Sequence, residues 1–360
     1  MSIAREFKLN GVAIPHDAAS MLDEICEHFV EHSSVERTGN LALLRSETAL
    51  VAIRLKDSRL LIELACATEQ ALQLTCNNIA EHLVYFAGEE PLELSWSTPP
   101  APCILPDLRE VTVVSAEDVT PHMRRVKFSC EDLTPFIGGG MHVRVLLPPD
   151  GRIPVWPTLL ADGRTGWPEG EDELAVRVYT IRAVDVARRE LWIDFLQHAT
   201  HDVAAPGAEF ARNARPGQKL AFLGPGGGGI PQASSMLLAG DATALPAIAR
   251  IAAEVPAHTR MQAIILVEDA GEEQPLPTSG TLDVRWLHRK DDKSDTGYRF
   301  GDAVRTAISA ADAQTYVWVA CERDEIRPLR ALLKQRGHDR RLTYAAWYWE
   351  KTKPDAAKQS

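Results

Sequence analysis

The sequence predicts a multidomain α+β protein: a small N-terminal α+β domain, an antiparallel β-barrel and a C-terminal α/β domain. Three observations predict it. Residues 1–97 mix helical and strand periodicity. Residues 108–230 break into six short apolar runs separated by turns. From residue 231 strands alternate with helices, the pattern of a parallel sheet. A length of 360 residues allows two or three domains, and 45% hydrophobic residues supply cores for them.

In the first domain, Met21, Leu22, Ile25, Cys26 and Phe29 share one helical stripe, which predicts a helix over 18–31. Strands are expected at 39–44, 49–55 and 60–66. A second helix over 68–87 carries Leu72, Ile79, Leu83 and Phe86, and a strand at 92–96 closes the unit. His28 and His32 share a helix face, yet spacing specifies no third ligand, so no metal site is expected. Residues 98–107 are a proline-rich linker. Barrel strands are expected at 110–116, 123–128, 141–147, 174–181, 191–197 and 219–223. The last domain, 231–360, has strands at 235–239, 262–268, 281–288 and 315–320, with helices near 244–254, 301–310 and 325–336.

Composition excludes several function classes. With 39 basic and 50 acidic residues the net charge is −11, which disfavours nucleic acid and anionic membrane surfaces. No apolar run approaches the ~18 residues of a membrane span, and the N-terminus lacks the apolar centre of a signal peptide, so a cytoplasmic location and no membrane insertion are expected. The six cysteines form no Cys-x-x-Cys, which argues against zinc and iron–sulfur sites. Electron chemistry in this chain therefore calls for an organic cofactor.

Two segments carry the chemistry. Arg177-Val178-Tyr179-Thr180-Ile181-Arg182 ends a predicted strand. Its guanidinium suits a pyrophosphate, its ring suits stacking and its hydroxyl suits a hydrogen bond to a bound ring edge. Gly240-Asp241-Ala242-Thr243-Ala244-Leu245-Pro246 turns a buried strand into a helix, with Asp241 or Thr243 as N-cap. No Gly-x-Gly-x-x-Gly follows, so a standard dinucleotide fingerprint is not supported. The glycine run Gly224-Pro225-Gly226-Gly227-Gly228-Gly229 is read as a hinge, with cofactor contact as its other reading.

Arg-x-Tyr-Thr-x-Arg resembles the flavin-binding motif of the siderophore-interacting protein family, within the ferredoxin-reductase-like superfamily. Met141-His142-Val143-Arg144 resembles that family's His-Val-Lys strand, with Arg in place of Lys. Residues Ala205-Pro206-Gly207-Ala208 resemble its small-residue loop, and Gly240 to Pro246 resembles its Gly-Asp-Glu-Thr-Ala-Leu-Pro, departing at Ala242. Trp318-Val319-Ala320-Cys321-Glu322 and the closing Tyr348-Trp349 resemble further motifs of the family, with Cys321 and Trp347 standing where it has Gly. Residues 1–97 resemble an uncharacterised domain fused ahead of such proteins. The resemblance covers residues 108–350 and implies an FAD-binding barrel followed by an NAD(P)H-binding domain.

The activity it implies is reduction of a ferric siderophore by NAD(P)H through FAD, with the flavin rather than a side chain carrying the catalysis; a general NAD(P)H:flavin or ferredoxin reductase and a non-catalytic siderophore-binding flavoprotein are the other readings. A ferredoxin is the other donor the resemblance admits. Implied cofactor contacts are Arg177, Tyr179, Thr180, His198, Pro206, Gly207, Ala208, Asp241, Thr243, Ala244, Leu245, Pro246, Tyr348 and Trp349. Arg144 and Arg182 are the implied substrate contacts, because ferric siderophores are often anionic. Glu268-Asp269 would favour NADH and His288-Arg289 would favour NADPH, so the choice stays open. Cys321 is read as a buried filler or a reactive thiol.

Overall fold

The computed structural model describes residues 6–30, 33–197, 205–291 and 298–351. The chain forms two compact units. One comprises Met1–Leu108 with Pro148–Leu174, and the other Arg109–Leu147 with Ala175–Ser360.

The first unit is an antiparallel sheet with two helices. Its strands are β1 (Phe7–Pro15), β2 (Ser34–Thr38), β3 (Leu41–Arg45), β4 (Ala49–Lys56), β5 (Arg59–Cys66) and β6 (Leu92–Trp96), in the order β2-β3-β4-β5-β1-β6. Helix α1 (Ala18–Phe29) starts where Asp17 Oδ1 accepts from the amides of Ala19 and Ser20, both at 3.0 Å. Its buried stripe of Met21, Leu22, Ile25 and Phe29 is the one read from periodicity. Helix α2 (Glu69–Ala87) is capped by Thr68 and stops at Gly88, whose φ of 58° suits glycine. Strands β1 and β2 escape sequence reading. Asn10 and Gly11 interrupt the apolar alternation of β1, and β2 is almost wholly exposed.

The second unit opens with β7 (Leu108–Thr120), β8 (Met123–Cys130) and β9 (His142–Leu147). Pro148–Leu174 then belongs to the first unit and contains the short pair β10 (Thr158–Leu159) and β11 (Thr165–Gly166). This segment lies inside the 108–230 span that the sequence assigns to the barrel. The barrel resumes with β12 (Ala175–Asp185), β13 (Glu190–Leu196), α3 (Pro206–Asn213) and β14 (Lys219–Gly226), closing in the order β12-β13-β8-β7-β14-β9. Its interior is filled by Val113, Val126, Phe128, Val143, Val145, Ile193, Phe195 and Phe222, each worth ~1.5–3 kcal/mol of burial. All six predicted barrel strands are present. Residues 205–211 are expected as a loop, but Pro206–Asn213 form helix α3, with Pro206 in its first turn where a missing N–H costs nothing.

The C-terminal part is a parallel sheet of β15 (Ser235–Asp241), β16 (Arg260–Val267), β17 (Thr281–His288), β18 (Tyr316–Glu322) and β19 (Thr343–Trp349), in the order β17-β16-β15-β18-β19. Helices α4 (Leu245–Glu254), α5 (Tyr298–Ala310) and α6 (Arg323–Gln335) lie between these strands in sequence. The chain steps one way from β15 and returns to its other side at β18. That topological switch point opens a crevice at the strands' C-terminal ends. No helix among the described residues is long and apolar enough to cross a membrane.

Candidate cofactor and substrate site

Strand β12 pairs with β9 along Ala175–Thr180, but with β13 only from Ile181–Ile193 onward. The barrel seam therefore parts beside the Arg177-Tyr179-Thr180 motif. Arg177 is exposed, and one of its nitrogens donates to Val176 O at 2.8 Å. Tyr179 leans on Phe195, ring centroids 4.4 Å apart, and burial pushes its phenol up to about 12. Gly207 sits against the Tyr179 ring so closely that a Cβ there would overlap the hydroxyl. The motif strand and the first turn of α3, with Pro206, Gly207 and Ala208, are thus brought together by one aromatic ring. The side chain of Thr180 is buried. His198 lies outside the described residues.

Thr180 is directly opposite His142 on β9. His142 is buried, with Nδ1 3.1 Å from Gly227 O and Nε2 2.8 Å from the Tyr348 hydroxyl. An Nδ1–H donated to the carbonyl leaves Nε2 to accept from the tyrosine. Desolvation holds the His142 imidazole below its ordinary value, which keeps that neutral tautomer. Burial raises the Tyr348 phenol, although its ring as a whole is only half-buried. The glycine run is an ordered part of this junction. Gly226 pairs with His142, Gly228 O accepts from Met141 N, and a Cβ on Gly227 would come 2.6 Å from His142 Nδ1. A freely moving hinge does not describe it.

At the switch point Asp241 is 2% exposed. Its Oδ1 accepts from Thr243 N at 2.9 Å and Thr243 Oγ1 at 2.5 Å, and its Oδ2 from Trp349 Nε1 at 2.7 Å. The carboxylate therefore ties the start of α4 to the last aromatic residue of β19. Ala244, Leu245 and Pro246 are buried, so any cofactor contact they make is through backbone. The crevice here is lined by Asp241, Arg289, Cys321, Glu325, Trp349 and Lys351, among others. Burial raises the Cys321 thiol well above its usual value, with Asp241 adding to the effect. Folded protein at pH 8 should leave Cys321 unlabelled by iodoacetamide, and unfolding should expose it. Labelling of native Cys321 as fast as in the unfolded chain would reject the filler reading.

Asp269 and His288, at the neighbouring strand ends, are each paired. Lys290 Nζ lies 2.5 Å from Asp269 Oδ2, and His288 Nε2 lies 2.9 Å from Glu273 Oε1.

The two predicted substrate arginines have different surroundings. Arg144 is exposed, two residues from His142 on the same face of β9, while Val143 faces the barrel core. Its partner on β12, Val178, is 65% exposed. Arg182 is enclosed, its side chain 12% exposed and its Nε 3.8 Å from Asp194. Asp194 is already held in a bidentate pair by Arg125 at 2.7 and 2.8 Å. Desolvation lowers the Arg182 guanidinium from its ordinary value.

Sequence reasoning did not single out His142 together with Tyr348, nor Arg250. The latter is 1% exposed on α4 and donates to Ile181 O at 3.1 Å and Phe136 O at 3.2 Å.

The residues present fit an FAD. An exposed arginine, an aromatic ring and a hydroxyl lie along a parted strand seam, beside a helix N-terminus of small residues. Among the described residues no cluster of three or more His, Cys, Asp or Glu is placed to hold a metal ion.

Comparison with known proteins gives the same outline. Residues 112–229 match the family described as siderophore-interacting FAD-binding domain, and 233–352 match siderophore-interacting protein. Residues 12–97 match an uncharacterized protein family conserved in bacteria. A crystallised siderophore utilization protein from T. fusca is 30% identical, with a TM-score of 0.54, over 71% of this chain and 97% of that one. Ferric vibriobactin reductase ViuB of Vibrio cholerae is 26% identical over 69% of this chain and 92% of its own. An uncharacterized protein of Mycobacterium bovis is 31% identical over 51% of this chain, and the match spans 65% of that protein's length.

Proposed function

Because this chain belongs to the siderophore-interacting protein family, we propose that it is an FAD-dependent reductase that passes electrons from NAD(P)H to a ferric siderophore in the cytoplasm. The observation that carries the reading is the unbroken line from Tyr179 and Thr180 through His142 to Tyr348 and Trp349. It joins the parted barrel seam to the switch-point crevice. All six cysteines are free thiols, which suits a reducing compartment.

FAD, when bound, supplies the step from two-electron donor to one-electron acceptor. The chain's own residues bind and orient. Arg177 and the first-turn amides of α3 would hold the pyrophosphate. Tyr179 would stack on the ring system, with Thr180 donating to its edge. Tyr348 and Trp349, half-buried and fixed by His142 and Asp241, would close the site against water on the donor side. The switch-point crevice would take the nicotinamide.

Arg144 faces solvent beside this line and supplies fixed positive charge for an anionic chelate. Arg182, enclosed near Asp194, suits support of β12 better than contact with a large ligand. The iron is substrate. Gaining one electron lowers its charge, and hard oxygen ligands then hold it less strongly.

The experiment is spectroscopic. Flavin absorbance should bleach with NAD(P)H under anaerobic conditions and return on adding a ferric siderophore. Flavin that NAD(P)H never bleaches would reject the donor, and flavin that ferric siderophore never reoxidises would reject the acceptor. Arg144→Ala should slow ferric-siderophore reduction ~10-fold, equivalent to ~1.4 kcal/mol, with flavin reduction nearly unchanged. Added salt should slow wild type more than the variant. Equal rates across several anionic chelates would remove Arg144 from the substrate site.

A further inference from the structure

Segment Pro148–Leu174 links β9 to β12, the strand that carries Arg177, Tyr179 and Thr180, yet it packs in the first unit. There it is held through polar contacts on α2 and β6. Asn77 Nδ2 donates to Gly163 O at 2.9 Å and to Thr165 Oγ1 at 3.1 Å. Glu81, one turn further along α2, accepts from Thr165 N at 2.7 Å. Trp96 Nε1 donates to Asp162 O at 2.8 Å. Leu159 N donates to Cys103 O at 2.8 Å, and Ile104 bridges Thr158. Gly163 has a φ of +85°, and a Cβ there would lie 2.9 Å from Trp96 Nε1 and 3.0 Å from Cys76 Sγ. The turn around Gly163 thus seats in a fitted cleft of the N-terminal unit.

We propose that this cleft is a docking site for the chain's own β9–β12 connection, and that the N-terminal unit serves the reductase by fixing the strand that carries the flavin motif. The effect passes along the chain itself. A long free connection samples many conformations, and seating its middle leaves two short spans with little to lose. Arg177 lies three residues past Leu174, where β12 has β9 beside it but no ladder to β13. A strand held on one edge gains most from an anchored approach. This anchoring role presupposes that β12 holds a flavin, as proposed above.

The test compares Gly163→Ala with Gly170→Ala in the full chain. Both glycines have positive φ, so both substitutions carry backbone strain, but nothing lies within 4 Å of a Cβ on Gly170. Asn77→Leu is a second undocking variant. Apoprotein is titrated with FAD, and residues 148–174 are probed by limited proteolysis. Gly163→Ala and Asn77→Leu should expose the segment and raise the FAD Kd ~10-fold, whereas Gly170→Ala should match wild type in both. An exposed segment with unchanged FAD affinity would overturn the proposal, as would a segment that stays protected in both undocking variants. Wild type that binds no FAD would sink the flavin reading separately. Amide exchange at residues 176–180 then decides: faster exchange in Gly163→Ala than in Gly170→Ala supports the docking role, and equal exchange overturns it.

Discussion

Gly207→Val should yield a folded protein that retains less than about a tenth of wild-type FAD, a loss of at least ~1.4 kcal/mol in cofactor binding. The cause is space. Any Cβ at residue 207 overlaps the Tyr179 hydroxyl and approaches ring carbons Cζ and Cε2 at 2.6 and 2.7 Å. Phe195 stands on the ring with centroids 4.4 Å apart, which restricts movement on that side. Either the ring or the first turn of α3 must shift, and each is a proposed part of the cofactor cradle. Tyr179→Ala alone should also lower FAD retention, because stacking contributes ~0.5–1.5 kcal/mol beyond area burial. The pair should be strongly non-additive. Once Tyr179→Ala has removed the obstacle, Gly207→Val should cost little more. Flavin content after gel filtration measures each variant. Full occupancy in folded Gly207→Val, or simple additivity, would show that this contact does not shape the cofactor site.

Arg250→Met should destabilise the second unit by ~2–4 kcal/mol. The guanidinium is buried on α4, and two of its nitrogens serve the carbonyls of Ile181 and Phe136, both in the barrel portion. Its Nε donates to Glu254 at 2.9 Å. Methionine fills much of the volume but donates nothing, and each carbonyl deprived of its donor costs ~1–3 kcal/mol. Replacing a buried ion pair with a hydrophobe can be neutral, but the partners lost here are mainly backbone carbonyls that cannot leave. Arg250→Lys should fall between, because a single ammonium is a poor substitute for a fork that reaches two carbonyls and Glu254. Denaturant unfolding reads the difference directly. A midpoint for Arg250→Met equal to wild type would mean that other donors or water satisfy those carbonyls. Because Ile181 follows Thr180, the same variant should also weaken FAD retention more than Arg250→Lys does.

The sequence by itself determined what depends on near neighbours along the chain. Short apolar runs bounded by turns located all six barrel strands, and apolar runs alternating with helical stretches located four strands of the parallel sheet. The stripes of α1 and α2 were legible for the same reason. So were the Arg177-Tyr179-Thr180 and Asp241-Thr243 segments, whose chemistry lies in consecutive residues, and with them the family. Strand β1 was hidden because Asn10 and Gly11 break its alternation, and β19 because its aromatic run has no period. Helix α3 has only Phe210 and small residues to signal a stripe.

Only the tertiary structure decided which partners meet. It set His142 against Tyr348 and Asp241 against Trp349, more than a hundred residues apart in both cases. It enclosed Arg182 while leaving Arg144 open, although both are arginines on barrel strands. It also seated the turn at Gly163 on Asn77 and Trp96, which no linker composition announced. The physical reason is common to all of these. Periodicity fixes which face of an element is apolar, but a hydrogen bond between distant residues depends on how whole elements pack, and that is decided by the chain's total burial rather than by any local pattern.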